Sequence, residues 1–346
     1  MTSVASQLAP GEGAARAGVR FTAARATLVL GVLFLMVAGA LALSVLLGEY
    51  PVQLGRALAD PTSPDGRVLF GLRMPRAVLG AMVGASLAAS GSALQALLRN
   101  PLADSYVLGV SGGAALGATF ALALGLQSLA GPSVFAFLGA VAAMTLVLAA
   151  GRARSSPYAA LLTGVVFNAF AAAVITCIKT LLTPDRLGEV LYWLAGSIGY
   201  EQPRTLLLGG VLQLMALGVL WAESARLNLL SLGDEEAASL GVHVRRTRAV
   251  VLLATSLSVA GAVALAGLVG FVGLIVPHVF RLALGPDQRL LVPASALGGA
   301  AFLVLADAAT RMLFPVFHSE PPVGVVTAVL GGPLFVWLLN RGERAG

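Results

Sequence analysis

Residues 105–151 contain no charged side chain, and that run limits what the chain can become more than any other feature. A bilayer's hydrocarbon core is crossed by roughly 20 apolar residues in a helix. The stretch therefore predicts two crossings, with Gln127-Ser128 and Gly131-Pro132 supplying the turn. Uncharged runs at 26–48, 77–98, 155–178, 205–222, 290–306 and 321–340 add one crossing each. The run 249–280 is long enough for two, because Gly267, Gly270 and Gly273 divide it into a long helix and a short one ending near Leu284. The sum is ten helices, the eighth short, in an all-α polytopic membrane protein. Charged residues make up 11% of the chain and hydrophobic ones 58%. A soluble chain carries about 25% charged residues, so a soluble enzyme is excluded.

The polar residues exclude more. Cys177 is the single cysteine, which leaves no disulfide framework and no Cys-based metal site. Lys179 is the single lysine, and no G-x-x-x-x-G-K-[ST] surrounds it; the chain has no Walker A loop with which to bind ATP. The net charge of +6 comes from Arg scattered between apolar runs, which is not a nucleic-acid footprint. Arg152, Arg154, Arg245, Arg246, Arg248 and Arg281 fall on the side that bears both termini, so the Lys/Arg bias predicts cytoplasmic ends. Residues 1–25 read as a disordered cytoplasmic N-terminus, 26–340 as one transmembrane domain with a cytoplasmic loop at about 226–246, and 341–346 as a cytoplasmic tail. A signal peptide ending at Ala40-Leu41-Ala42 would need an overlong apolar region. Gly80-Ala-Met-Val-Gly84 and Gly113-Ala-Ala-Leu-Gly117 are small-xxx-small patterns, expected to pack helices closely within one subunit.

Three segments carry more polarity than a span needs. Arg73-Met-Pro-Arg76 precedes the second helix on the outer side, suited either to interfacial snorkelling or to gripping an acidic partner. From Gln95 to Gly117, Asn100-Pro101 stops one helix and Asp104 or Ser105 is placed to cap the next; Gln95 either lines a polar path or bonds between helices. Between the sixth and seventh spans, Asp234, Glu235 and Glu236 open a short helix that Gly241 closes, with Ser231 and Asp234 at capping-box spacing. Farther on, His278 stands alone, and Asp307 is the only acid deep in a span. Arg311, four residues on, is expected to neutralise Asp307 locally.

In this order the motifs resemble the FecCD family, permease subunits of binding-protein-dependent ABC importers. R-x-P-R is Arg73–Arg76, G-A-x-L-A-x-S-G-x-x-x-Q is Gly84–Gln95, and R-N-P-L-A-D begins at Arg99, with Ser105 where the family has Pro. W-x-x-G-S is Trp193–Ser197, L-G-x-x-x-A-x-x-L-G-V is Leu232–Val242, G-F-V-G-L-x-x-P-H-x-x-R is Gly270–Arg281, and D-x-x-x-R is Asp307–Arg311. E-L-P-V-G appears as Glu320-Pro-Pro-Val-Gly324 and D-H-R as Asp287-Gln-Arg289. The resemblance implies a type II importer permease working by alternating access in a bacterial inner membrane, as a homodimer or paired with a second permease. It implies no catalytic residue and no bound cofactor or metal, ATP being hydrolysed by a partner subunit. Leu232, Gly233, Asp234, Glu235, Glu236, Ala237, Leu240 and Gly241 would seat on that cytoplasmic ATPase. Arg73, Arg76 and Arg311 would meet acidic side chains of a substrate-binding protein outside. Gln95, Asn100, Pro101, Ser111, Trp193, Gly196, Ser197, Pro277, His278, Arg281 and Asp307 are expected in the path or in structural motifs, with helix five and Leu182–Ser197 along its outer part. The cargo expected is an iron chelate (a siderophore or haem), with cobalamin as the alternative. A proton-coupled carrier is the rival class, and it would need paired ionisable groups along a path.

Overall fold

The structure, a computed structural model, describes residues 22–48, 50–106, 108–126, 131–154, 157–314 and 318–343. The expected turn at Gln127-Ser128, most of the N-terminal tail and residues 344–346 lie outside the described residues. Among the described residues fourteen helices follow in order: α1 Ala23–Leu46, α2 Leu54–Ala59, α3 Pro64–Leu97, α4 Val110–Ala123, α5 Gly131–Arg154, α6 Pro157–Leu181, α7 Pro184–Leu194, α8 Pro203–Ala222, α9 Ser224–Leu230, α10 Asp234–Ser239, α11 Val244–Ala266, α12 Val272–Leu284, α13 Gln288–Met312 and α14 Val323–Glu343. Seven are long and apolar enough to cross a bilayer, and α4, α12 and the apolar part of α14 are shorter apolar helices. The expected set of ten is therefore present among the described residues, and α12 is the short eighth.

Two boundaries differ from expectation. The second span was expected from residue 77, yet α3 starts at Pro64 and runs for 34 residues. Ser63 caps it, its Oγ accepting from Gly66 N at 3.1 Å, and Pro64 stands where a missing N–H is harmless. A π turn at Leu69–Arg73 then widens the helix before Pro75, whose ring would otherwise meet the preceding turn. An uncharged-run criterion misses this extension because Asp65, Arg67, Arg73 and Arg76 ride on it. The third span starts late. Asp104 and Ser105 bond to one another and cap nothing; α4 begins at Val110, after Gly109 at φ +78°.

The core is built around α3. Its Leu79, Val83, Leu87 and Leu94 are fully or almost fully buried with Leu303 of α13, Val259 and Val263 of α11, and Val272 and Val276 of α12. About 78% of the most apolar window of α3 is buried, against 17% for α6 and for α8, so α6 and α8 lie at the periphery. Lipid is as apolar as a leucine side chain, so helices here are held by close packing instead of hydrophobic exclusion. Backbones accordingly touch: a methyl group on Gly84 would overlap the Gly299 carbonyl, and methyls on Gly113 and Gly117 would overlap the Gly139 and Phe135 carbonyls. Both small-xxx-small patterns thus pack inside the subunit, as expected.

Candidate functional site

Three polar assemblies stand out, one at each end of the bundle and one between them. At the end bearing α9 and α10, the first helix of the pair is anchored on α13 and α3. Asn228 Nδ2 donates to Asp287 at 2.7 Å, and Asn228 Oδ1 accepts from Gln288 N at 2.8 Å. Asp287 caps α13, accepting from Arg289 N at 3.0 Å, and Ser92 of α3 donates to Gln288 at 2.9 Å. Asp234 Oδ1 receives Arg99 Nη2 and, at 2.6 Å, Arg248 Nη2 of α11. Ala237 is buried, whereas Leu232 and Leu240 are exposed at 65% and 59%; two leucines at a turn presented to solvent suit contact with another protein. The expected capping box is not formed. Ser231 Oγ donates to Asn228 O at 2.6 Å, and Gly233, at φ +154°, takes the N-cap. Gly241, at φ +86°, ends the helix as expected.

Midway along the bundle, two shortened helices meet through their lead-in segments. Tyr106 Oη accepts from Val269 N and donates to Val269 O, each at 2.8 Å. Asn168 of α6 accepts from Gly112 N at 3.1 Å and donates to Tyr106 O at 3.2 Å, while Ser111 Oγ donates to the same carbonyl at 3.3 Å. Irregular backbone is tolerated at membrane depth only where protein satisfies it, and these side chains do so. Neither Tyr106 nor Asn168 was singled out from sequence; an asparagine inside an apolar span was the available signal. Nearby, Ser197 N donates to Ala266 O at 2.9 Å and Gly324 N to Gly196 O at 3.1 Å. The W-x-x-G-S and P-V-G motifs and the end of α11 are thereby parts of one backbone junction. Gln95 is buried and bonds between helices: Oε1 accepts from Arg281 Nη2 at 2.7 Å, and Nε2 donates to Leu274 O at 3.3 Å. Asn100 closes the turn after α3, accepting from Leu102 N at 2.9 Å, and Pro101 follows within that turn. His278, one residue after the in-helix Pro277, meets Phe335 edge-on at 5.9 Å.

At the opposite end, the structure gives the three arginines expected at a docking face partners inside the subunit. Arg73 and Arg311 are buried. Arg73 donates to Val45 O at 3.0 Å and Tyr50 O at 2.6 Å, and Arg311 to Leu47 O at 3.0 Å and Ser44 Oγ at 2.7 Å. Both cations complement the C-terminal carbonyls of α1. Arg76 holds Asp307 bidentately at 2.9–3.1 Å and Glu320 at 2.8 Å. The expected local pair of Arg311 with Asp307 is present but is the weaker of two. Arg311 Nε stands 3.5 Å from Asp307 Oδ2, and the fork from α3 makes the shorter, bidentate contact.

A further group escaped the sequence reading. Glu201, in the connection between α7 and α8, lines a cavity of about 350 Å³ with Ser133, Glu189, Trp193, Ser197 and Gly267. Its Oε2 has no hydrogen-bond partner, and Ser133 Oγ reaches Oε1 at 3.4 Å. Burial pushes this carboxyl from 4.5 up to about 7, against the lowering effect of the Ser133 hydroxyl. The folded protein then holds a proton that the unfolded chain releases near 4.5, so stability falls as pH rises from about 4.5 through 7. Glu201→Gln should match wild type in thermal midpoint at pH 4.5 and exceed it at pH 8; a constant difference across that range would refute the assignment.

Among the described residues, ten apolar helices, two of them half-length, with a short helix pair bonded to the core at one end, make a polytopic membrane protein. The family model of the FecCD transport family matches residues 29–341. The hemin transport system permease protein HmuU of Yersinia pestis is 39% identical over 303 residues, covering 84% of this chain and 90% of that protein. The cobalamin import system permease protein BtuC of Halobacterium salinarum is 42% identical over 274 residues, covering 79% and 73%. A solved inward-facing chain assigned to the metal-chelate type of ABC transporter is 31% identical, with a TM-score of 0.80 over 91% of this chain and 99% of that one. The chain belongs to the FecCD transport family. It has the type II importer fold of ABC permease subunits, which are transport components and not catalysts.

Proposed function

We propose that this chain forms the membrane path of an importer for a large metal chelate, with the α9–α10 end in the cytoplasm on an ATPase subunit and the Arg76 end facing a binding protein. One observation carries the reading. A helix pair with exposed Leu232 and Leu240 is bonded into α3, α11 and α13, in a chain with no nucleotide loop of its own. Energy released elsewhere therefore has a contact surface and a route into the central helices. Pairing with a second permease, as a homodimer or heterodimer, would place the path between subunits and cover part of the exposed apolar surface. Docking outside falls to Arg76 and Glu320, since Arg73 and Arg311 are buried. The cargo we favour is an iron chelate, siderophore or haem, with cobalamin as the alternative; relatives named for haem and for cobalamin support both. Against a proton-coupled carrier, the deep Asp307 is held in ion pairs by Arg76 and Arg311.

Reconstituted with its ATPase and binding protein, the chain should take up one of ferric siderophore, haem or cobalamin in an ATP-dependent manner. Uptake that persists without ATP or binding protein would overturn the reading.

A further inference from the structure

Arg99 breaks a local rule. It follows the end of α3 at φ +51°, the left-handed position that closes a Schellman turn: Arg99 N donates to Ala96 O at 3.2 Å and Asn100 N to Gln95 O at 3.1 Å. Glycine is the usual residue there, because a side chain strains that conformation. A residue that departs from local preference persists where its side chain is needed. This one reaches two successive helices at once. Nε donates to Leu230 O at 2.9 Å, at the end of α9, and Nη2 to Asp234 Oδ1, at the start of α10. Arg248 of α11 holds the same carboxylate oxygen.

Stability does not account for the arrangement. The Arg99 and Asp234 side chains are 43% and 42% exposed, and ion pairs in that setting stabilise little. Geometry does account for it. A planar guanidinium offers fixed donors to two acceptors together, which an ammonium cannot do. α3, from whose end Arg99 projects, is the helix on which α11, α12 and α13 pack. Packed cores shift between discrete arrangements and do not deform gradually, so a displacement entering at the end of α3 is felt throughout the bundle.

We infer that Arg99 is a positioning residue that carries displacement of the α9–α10 pair into α3, with Asp234 as its counterpart and Arg248 as a second tether to α11. This rests on the reading of α9–α10 as the ATPase seat, and it adds the link by which the seat acts.

The test is Arg99→Gly in the reconstituted complex with ATPase and binding protein. Glycine relieves the strained φ and keeps the turn, so the variant should fold with a thermal midpoint equal to or above wild type. The ATPase should co-purify and hydrolyse ATP as before, while cargo delivered per ATP falls about fivefold or more, the scale of typical coupling between sites. Arg99→Lys should fall in between. Asp234→Asn removes the Arg248 tether as well and should lower cargo per ATP at least as far, and the double variant with Arg99→Gly should lose less than the sum of the two, because both remove the Arg99–Asp234 contact. Wild-type delivery per ATP in Arg99→Gly overturns the inference. So does a parallel loss of stability and transport, which marks a structural brace, or loss of ATPase binding, which makes Arg99 part of the seat. Absence of ATP-driven uptake in the wild-type complex is a different result, and it strikes the importer reading itself.

Discussion

Gly84→Ala should destabilise the fold by about 3 kcal/mol or more, the upper range for overpacking a tight core, whereas Gly80→Ala, one turn away on the same helix, should change it by less than about 1 kcal/mol. The two glycines belong to one sequence pattern but meet different surroundings. An added methyl at Gly84 would overlap the Gly299 carbonyl oxygen and crowd Leu303, where α3 and α13 cross with backbones in contact. Neither backbone can yield without parting the helices, and the close contact that holds them in lipid is lost when they part. At Gly80 the nearest atom is the end of the Ile198 side chain at 3.3 Å, which can rotate aside, and alanine favours helix over glycine. Monodispersity and thermal midpoint in detergent report both effects. Equal midpoints for the two variants would show that the α3–α13 contact is looser than the Gly84–Gly299 geometry implies.

That contrast shows where sequence reading succeeds and where it stops. Ten apolar helices are legible because the bilayer imposes length and polarity on each span separately. The half-length α4 and α12 are half legible: glycines mark the break before α12, but nothing local shows that Tyr106 and Val269 will satisfy each other's polar groups across the bundle. The partners of the deep charges are the least legible. Asp307 and Arg311 sit one helical turn apart, and a local pair is the natural reading of that spacing. Asp307 is held chiefly by a residue 231 positions away, because Arg76 lies one turn before Gly80 and two before Gly84, on the face of α3 that packs on α13. Arg73 and Arg311 read as outward-facing cations because their acceptors are backbone carbonyls at the end of α1, which a residue-type motif cannot display. Glu201 escaped for the same reason: its cavity is assembled from α5, α7 and the α11–α12 junction, and no spacing in the sequence announces it.

Arg76→Met should then destabilise the protein by about 3 kcal/mol, the scale for removing one partner of a buried ion pair. It leaves the Asp307 carboxylate, whose side chain is 2% exposed, with the single looser contact from Arg311. Glu320→Gln removes the other partner of Arg76, but Glu320 is 36% exposed, and such a contact is worth at most about 1 kcal/mol. Arg311→Met removes hydrogen bonds to Leu47 and Ser44 together with the 3.5 Å contact to Asp307. Its cost should fall between the other two, and it should loosen the end of α1 first, as faster amide exchange around residues 44–47. A buried charge is worse left alone than replaced, so Arg76→Met combined with Asp307→Leu should recover part of what Arg76→Met alone loses. The order Arg76 above Arg311 above Glu320 follows only if the fork from α3 is the main support of Asp307. A larger loss from Arg311→Met, with no recovery in the double variant, would return that role to the neighbour four residues along the same helix.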